Sequence, residues 1–198
     1  ITTSNLTKLF PNGRGIKDLS IQINEGEVVS LLGVNGAGKT TTVRMLSGMI
    51  LPTSGTAEIF GKNIVKDSIE IHSLVGLLTE TPGFYEKMTL EMNLRFFAQF
   101  YENLDYEKQI DKYLGIFELT DRRKEFVSTL SKGLKQRLAI CRAMIHEPKI
   151  LFFDEPTSGL DPESALSIKK IIKKLKEEGR TILLCTHNLT EADELSDR

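Results

Sequence analysis

The sequence predicts an α/β fold, on three observations. A glycine-rich loop, Gly33-Val34-Asn35-Gly36-Ala37-Gly38-Lys39-Thr40, joins an apolar, β-branched run at 28–32 to a segment with apolar residues at helical spacing. A second run, Ile150-Leu151-Phe152-Phe153, is wholly apolar and ends on the carboxylates Asp154 and Glu155. Between them, residues 84–146 carry helical periodicity with no convincing strand, which reads as a helical lobe inserted into the α/β core.

Composition narrows the class. With 198 residues there is enough chain for one core, or one core plus a lobe. Hydrophobic residues make up 40% and charged residues 27%, ordinary for a globular protein. A net charge of -1 gives no bulk attraction to nucleic acid or to an anionic membrane. Cys141 and Cys185 lie inside apolar runs and form no paired framework, which suits a reducing compartment. No apolar run reaches the ~18 residues of a membrane span, and no signal peptide is visible. The chain opens in a strand pattern and stops within a helical one, as a fragment would.

In chain order, residues 1–9 and 16–23 alternate as strands, with Pro11-Asn12-Gly13 as the turn between them and Glu25-Gly26 as a second turn. Phe10, at the first turn, can stack on a purine ring or pack at the sheet edge. A helix from Thr40 ends at Gly48. A short strand at 56–60, a brief helix at 68–73 and a strand at 74–78 follow, then the polar loop Thr79-Glu80-Thr81-Pro82-Gly83. Residues 89–101 and 105–117 read as helices, with Leu90, Leu94, Phe97 and Tyr101 on one face of the first; Asp121 caps an expected third. Ser131 caps a helix striped by Leu134, Leu138, Cys141 and Ile145 and stopped by Pro148. Asp161-Pro162 starts another, buried through Ile168, Ile171, Ile172 and Leu175, with lysines 169, 170, 173, 174 and 176 on its solvated side. Gly179 ends it, and a last strand at 181–185 leads to Thr186-His187-Asn188.

The loop at 33–40 has the Walker A pattern, G-x-x-x-x-G-K-T. Its glycines let successive N–H groups converge on phosphate oxygens, and the helix that follows adds free donors and a positive dipole end. Lys39 would reach the β- and γ-phosphates, and the Thr40 hydroxyl would hold Mg²⁺. Such a site needs an acid at the end of a second strand: Asp154 for the metal, and Glu155 to polarise an attacking water. His72 and His146 read as ordinary surface or core histidines.

Taken with Leu130-Ser131-Lys132-Gly133-Leu134-Lys135-Gln136-Arg137, Phe153-Asp154-Glu155-Pro156-Thr157-Ser158-Gly159-Leu160-Asp161 and Thr186-His187-Asn188, in that order, the chain resembles the nucleotide-binding subunit of ATP-binding cassette (ABC) transporters over essentially its whole length. The resemblance implies one ABC ATPase domain over 1–198. Within it, 1–83 and 147–198 would form a P-loop NTPase core with an antiparallel β subdomain, and 84–146 an α-helical subdomain, the C-terminal end of the usual domain being absent. It implies ATP and Mg²⁺ as ligands. The nucleotide would be held by Phe10, Gly33, Asn35, Gly36, Ala37, Gly38, Lys39, Thr40, Thr41, Ser131 and Gly133, the last two acting on the phosphate of a paired subunit. Thr40, Glu80 and Asp154 would face the metal, Glu155 and His187 would be catalytic, and Ser158–Asp161 would cross the dimer interface. The chain departs from the family at Lys132 and Leu134, where the signature Leu-Ser-Gly-Gly-Gln has Gly and Gln, and at Glu80, which stands in place of a glutamine.

Lys132, Glu80 and the Gly-Phe-Tyr at 83–85 resemble the subgroup serving drug, antibiotic and ABC-2-type exporters. The expected partners are a transmembrane permease subunit and a second cassette, as homodimer or paired subunit, with no nucleic acid. The expected place is cytoplasmic, on the inner face of the cell membrane. Tyr85, with Phe84 and Met88, would either pack inside the helical lobe or line a groove for a cytoplasmic helix of the permease. The alternative is a soluble ABC ATPase of the DNA-repair, chromosome or translation type. Against it, no heptads separate loop and signature, no basic groove is evident, and only one cassette is present. A GTPase would need an Asn-Lys-x-Asp base reader, which is absent from the sequence. A catalytically dead regulator is disfavoured by Glu155 and His187 together.

Overall fold

Apolar alternation divides the core between two faces of one parallel sheet. The computed structural model describes residues 1–102 and 104–198. Strands β3 (Val28–Leu32), β6 (Val75–Leu78), β7 (Ile150–Asp154) and β8 (Thr181–Thr186) form this sheet in the order β3-β8-β7-β6. Successive side chains of a strand point to opposite faces. Leu151, Phe153, Ile182 and Leu184 therefore enter one buried cluster, and Ile150, Phe152, Leu183 and Cys185 the other. Burial on both faces is why β7 and β8 read as unbroken apolar runs rather than as alternation.

The first face is covered by helices. These are α3 (Leu90–Ala98), α4 (Tyr106–Ile116), α5 (Lys132–Met144), α6 (Pro162–Glu177) and α7 (Leu189–Leu195). The second face packs on α1 (Lys39–Leu46) and α2 (Ser68–Leu74), and on an antiparallel sheet of order β2-β1-β4-β5. That sheet is built from β1 (Thr2–Leu9), β2 (Gly15–Leu19), β4 (Ser54–Ile59) and β5 (Lys62–Asn63). Both cysteines are fully buried free thiols, and burial pushes their pKa far up. No described helix is long and apolar enough to cross a membrane.

Side-chain caps fix five helix starts, four where the sequence puts them and a fifth, at Asn188, that it does not mark. Thr89, Asp105, Ser131, Asp161 and Asn188 each accept a backbone N–H with the side chain, and Pro162 occupies the first turn of α6. Four details differ from expectation. The helix expected after Asp121 is only a single 3₁₀ turn, Thr120–Arg122. Its neighbours serve α3 instead: the Arg123 and Glu125 carbonyls accept the Glu91 and Leu90 N–H groups, and Arg123 ion-pairs with Glu91. β2 ends at Leu19 rather than 23, with Gln22 making only an isolated bridge to Thr2; inside it Asp18 lies at φ +53 beside a register shift in β1. β5 was not expected; Phe60 and Gly61, both at positive φ, make a tight hairpin turn into two residues, too few to show alternation. The lysines of α6 are not simply solvated, since Lys169 and Lys173 pair with Glu194, and Lys176 with Asp197.

Candidate functional site at the strand ends

Parallel strands bring their C-terminal ends to one edge. Leu32 pairs with Thr186 and Asp154 with Cys185, so the residues that follow β3, β8 and β7 emerge side by side. These are Gly33, His187 and Glu155. Gly33 N–H donates to the Thr186 carbonyl at 3.2 Å, and Glu155 N–H to the Cys185 carbonyl at 2.8 Å.

The loop from Gly33 to Gly38 turns through left-handed backbone at Gly36 (φ +84) and Gly38 (φ +99). At Gly38 the neighbours forbid a side chain as well, since a Cβ would lie 2.1 Å from Ile16 Cγ2. The loop delivers α1 with its first-turn N–H groups, which no helix can satisfy internally, facing the strand ends. Lys39 folds back along it. Its ammonium donates to the Gly33 carbonyl at 2.6 Å and the Val34 carbonyl at 3.3 Å, and lies 3.1 Å from Glu155 Oε1. One residue on, Thr40 Oγ1 donates to Asp154 Oδ2 at 2.7 Å.

The two carboxylates have different surroundings. Asp154 is 1% exposed and its Oδ1 has no hydrogen-bond partner. Burial raises its pKa above the usual carboxylate value; the Thr40 hydroxyl opposes that rise, while the charges of Glu155 and Glu80 add to it. Glu155 is also buried but is held on both oxygens: the Lys39 ammonium lies by Oε1, and His187 Nδ1 is 2.7 Å from Oε2. Its backbone sits at φ +53, uncommon for a non-glycine residue and found where surrounding structure enforces it. The His187 side chain is half exposed, at the rim.

A cleft of about 480 Å³ opens over this edge, lined by Phe10, Asn35, Gly36, Gly38, Lys39, Thr40, Thr41, Glu80 and Glu155. Phe10 is 37% exposed there, with Lys8 Nζ 5.6 Å from its ring centre. Gly33 contributes its carbonyl to Lys39, and Ala37 lines not this cleft but a separate hollow, with Ile16 and Leu31. Ser131 and Gly133 are not brought to the cleft. Ser131 Oγ accepts the Leu134 N–H at the start of α5, and Gly133 is pressed on α6, where a Cβ would lie 2.2 Å from Ser164 Oγ.

Three contributors were missed in the sequence. Asn12 and Arg14 also line the cleft, from a turn that composition marks only as a turn. Glu191, 1% exposed, accepts hydrogen bonds from Thr157 Oγ1 at 2.7 Å and Thr186 Oγ1 at 2.6 Å, tying the loop after Glu155 to the strand end before His187. Its spacing from Asn188, that of a helix cap and its third residue, was the available signal. Aromatic residues near the polar loop divide. Phe84 packs on the core beneath the Arg142 guanidinium, whereas Tyr85 is 46% exposed and edge-on to Phe96 at 4.7 Å.

The donor set suits a hard cation: a hydroxyl, a carboxylate with an unpartnered buried oxygen, and a second carboxylate at the cleft wall, all oxygen ligands. No group of three or more His, Cys, Asp and Glu suited to a metal occurs among the described residues. Mg²⁺ needs none, since it is held by one or two protein groups together with substrate phosphates and water.

Known proteins resemble this chain in sequence and fold. The family model described as ABC transporter matches residues 16–158. The bacitracin transport ATP-binding protein BcrA of Bacillus licheniformis is 42% identical over 198 residues, 100% of this chain and 64% of that protein. A fluoroquinolones export ATP-binding protein of Mycobacterium tuberculosis is 38% identical over 200 residues, 100% of this chain and 66% of that one. The chain thus spans just under two thirds of the length of these relatives. Among solved structures, an ATP-binding subunit of an ABC transporter superposes with TM-score 0.86 at 32% identity, over 99% of this chain and 82% of that one. The dimeric ATP-binding cassette MJ0796, bound to ADP and Pi in a post-hydrolysis state, gives 0.85 at 27% identity, over 98% of this chain and 90% of that one. The glycine loop, the acid-ended strand and the sheet that aligns them fall within those matches, and the chain belongs to the ABC transporter family.

Proposed function

We propose that this chain binds and hydrolyses ATP and drives transport through a membrane permease, as part of an exporter most like the drug, antibiotic or ABC-2 type. The observation that carries the reading is Glu155, a buried carboxylate fixed between Lys39 and His187 beside the Thr40–Asp154 hydrogen bond. The names of the relatives, bacitracin transport and fluoroquinolones export, support the exporter class.

In this reading the loop amides and the N-terminus of α1 bind the polyphosphate, Lys39 neutralises it, and Phe10 stacks on the base. When bound, Mg²⁺ supplies charge stabilisation at the phosphates; Thr40 and Asp154 would hold it, with Glu80 approaching from the cleft wall. Glu155 accepts the proton of the attacking water. His187 orients that carboxylate and adds a hydrogen bond at the γ-phosphate. Ser131 and Gly133, remote from their own cleft, serve the phosphate of a second cassette, so two chains pair head to tail on ATP. The pair lies on the cytoplasmic face of the membrane, where exposed Tyr85 and Phe100 (72% exposed) receive a permease helix.

Specific ATPase activity measured against chain concentration tests the reading. It should rise at low concentration and then level off, and should require Mg²⁺. Activity independent of concentration in a species shown to be monomeric would contradict the shared site. Tyr85→Ala should weaken co-purification with the permease and leave the soluble activity intact; an equal loss of folding stability would assign Tyr85 to the lobe's packing instead.

A further inference from the structure

Lys132 is the departure from the signature motif that the proposed mechanism leaves without a task. Its ammonium donates to the Ser158 carbonyl at 3.0 Å. Gly159 makes room for it, since a Cβ there would lie 2.4 Å from Lys132 Nζ. One turn along the same face of α5, Gln136 Nε2 donates to the Pro156 carbonyl at 2.7 Å in a buried bond. The helix that begins at Ser131 therefore offers two donors to one loop, the loop that leaves Glu155. Gly133, between them, lets the first turn of α5 close on Ser164 of α6.

The loop passes the constraint on. Ser158 N–H donates to the Glu155 carbonyl at 3.1 Å, and Leu160 N–H to the Thr157 carbonyl at 3.2 Å. Ser158 thus links the two: its carbonyl accepts from the Lys132 ammonium and its N–H donates to the backbone of Glu155, the residue held at φ +53. On the other side, Thr157 is tied to Glu191. Without Lys132 the stretch from Ser158 to Leu160 keeps only its own turn hydrogen bonds.

We propose that Lys132 is a positioning residue: its ammonium fastens loop 156–160 to the N-terminus of α5, so that the Ser131 end of that helix and the Glu155 turn hold a fixed relation. The inference rests on the ATP-hydrolysis reading above. It makes the phosphate-contacting end of the chain and its own water-activating carboxylate parts of one body, joined by a cation that the usual glycine at this position cannot supply.

The test compares wild type, Lys132→Met and Lys132→Arg. Methionine keeps the stem that packs by Gly159 and loses the donor; arginine restores a donor. Lys132→Met should lower kcat for ATP about tenfold, the scale of one charge-assisted hydrogen bond, with KM changed less than about twofold. Arginine should recover most of the rate. In the chain without nucleotide, hydrogen exchange at the Ser158 and Leu160 amides should quicken about tenfold in Lys132→Met and return toward wild type in Lys132→Arg. Unchanged exchange and unchanged kcat in Lys132→Met overturn the proposal. A rise in KM that accounts for the whole loss also overturns it, because Lys132 would then bind phosphate directly. A wild-type chain that neither binds nor hydrolyses ATP sinks the hydrolysis reading instead, and exchange alone then decides whether the tether exists.

Discussion

His146 should make this fold acid-sensitive. Its Nε2 lies 3.1 Å from the Val75 carbonyl, an acceptor only, so Nε2 carries the proton. Nδ1 is buried with no partner, and the ring stacks on Tyr101 at 4.0 Å and 3°. Arg142 lines the same small cavity, and no carboxylate does so among the described residues. A second proton would sit on Nδ1 with nothing to accept it, and burial lowers the pKa from 6.5 to about 4. The unfolded chain therefore takes up this proton first on acidification. The stability from neutral His146 is fully present above about 6.5 and is lost as pH falls toward about 4. At about 1.4 kcal/mol per pH unit, the full loss is about 3 kcal/mol, of which about 2 kcal/mol is gone by pH 5. His146→Gln keeps a donor for Val75 and does not titrate. Urea unfolding of both chains at pH 7.5 and 5.0 isolates the effect, since the carboxylates that titrate nearby are common to both. Wild type should lose about 2 kcal/mol more than the variant over that interval. Equal losses would refute the argument from the buried, unpartnered nitrogen.

Two further outcomes follow from single contacts. Gly76, in β6, faces the Ala143 carbonyl, and a Cβ would lie 2.3 Å from that oxygen and 2.8 Å from Pro148 Cγ; Gly76→Ala should cost about 3 kcal/mol in thermal or urea unfolding. Titrating Mg²⁺ against ATPase rate should shift the midpoint upward and lower the rate in Glu80→Ala, with Glu80→Gln closer to wild type and metal-free ATP binding little changed. An unchanged midpoint and rate in Glu80→Ala would falsify a metal role for this residue.

What could be read from the sequence follows from the range of the forces involved. The glycine loop is local: its spacing, the strand before it and the helix after it specify the turn at Gly36 and Gly38 without reference to the rest of the chain. Apolar runs such as 150–153 announce burial on both faces, and caps such as Asp161-Pro162 act within one turn. Long-range pairing is what stayed hidden. Nothing near Asp121 shows that the backbone beyond it is spent capping α3. Nothing near Glu191 names Thr157 and Thr186 as its partners, and Arg14 reaches the cleft only because β1 and β2 pair beside the loop. Lys39, Thr40, Asp154 and Glu155 are expected at one site, but the Lys39–Glu155 and Thr40–Asp154 contacts depend on the register of β3, β8 and β7.

The rate of ATP hydrolysis by Glu155→Gln, measured with ATP binding in the same sample, tests the central claim most directly. The amide keeps the shape of Glu155 and loses the base, while the loop, Lys39 and Thr40 that bind the phosphates remain. Hydrolysis should fall by about 10² or more, with ATP still bound and holding two chains together. Hydrolysis near the wild-type rate would contradict the assignment of Glu155 as the group that activates water.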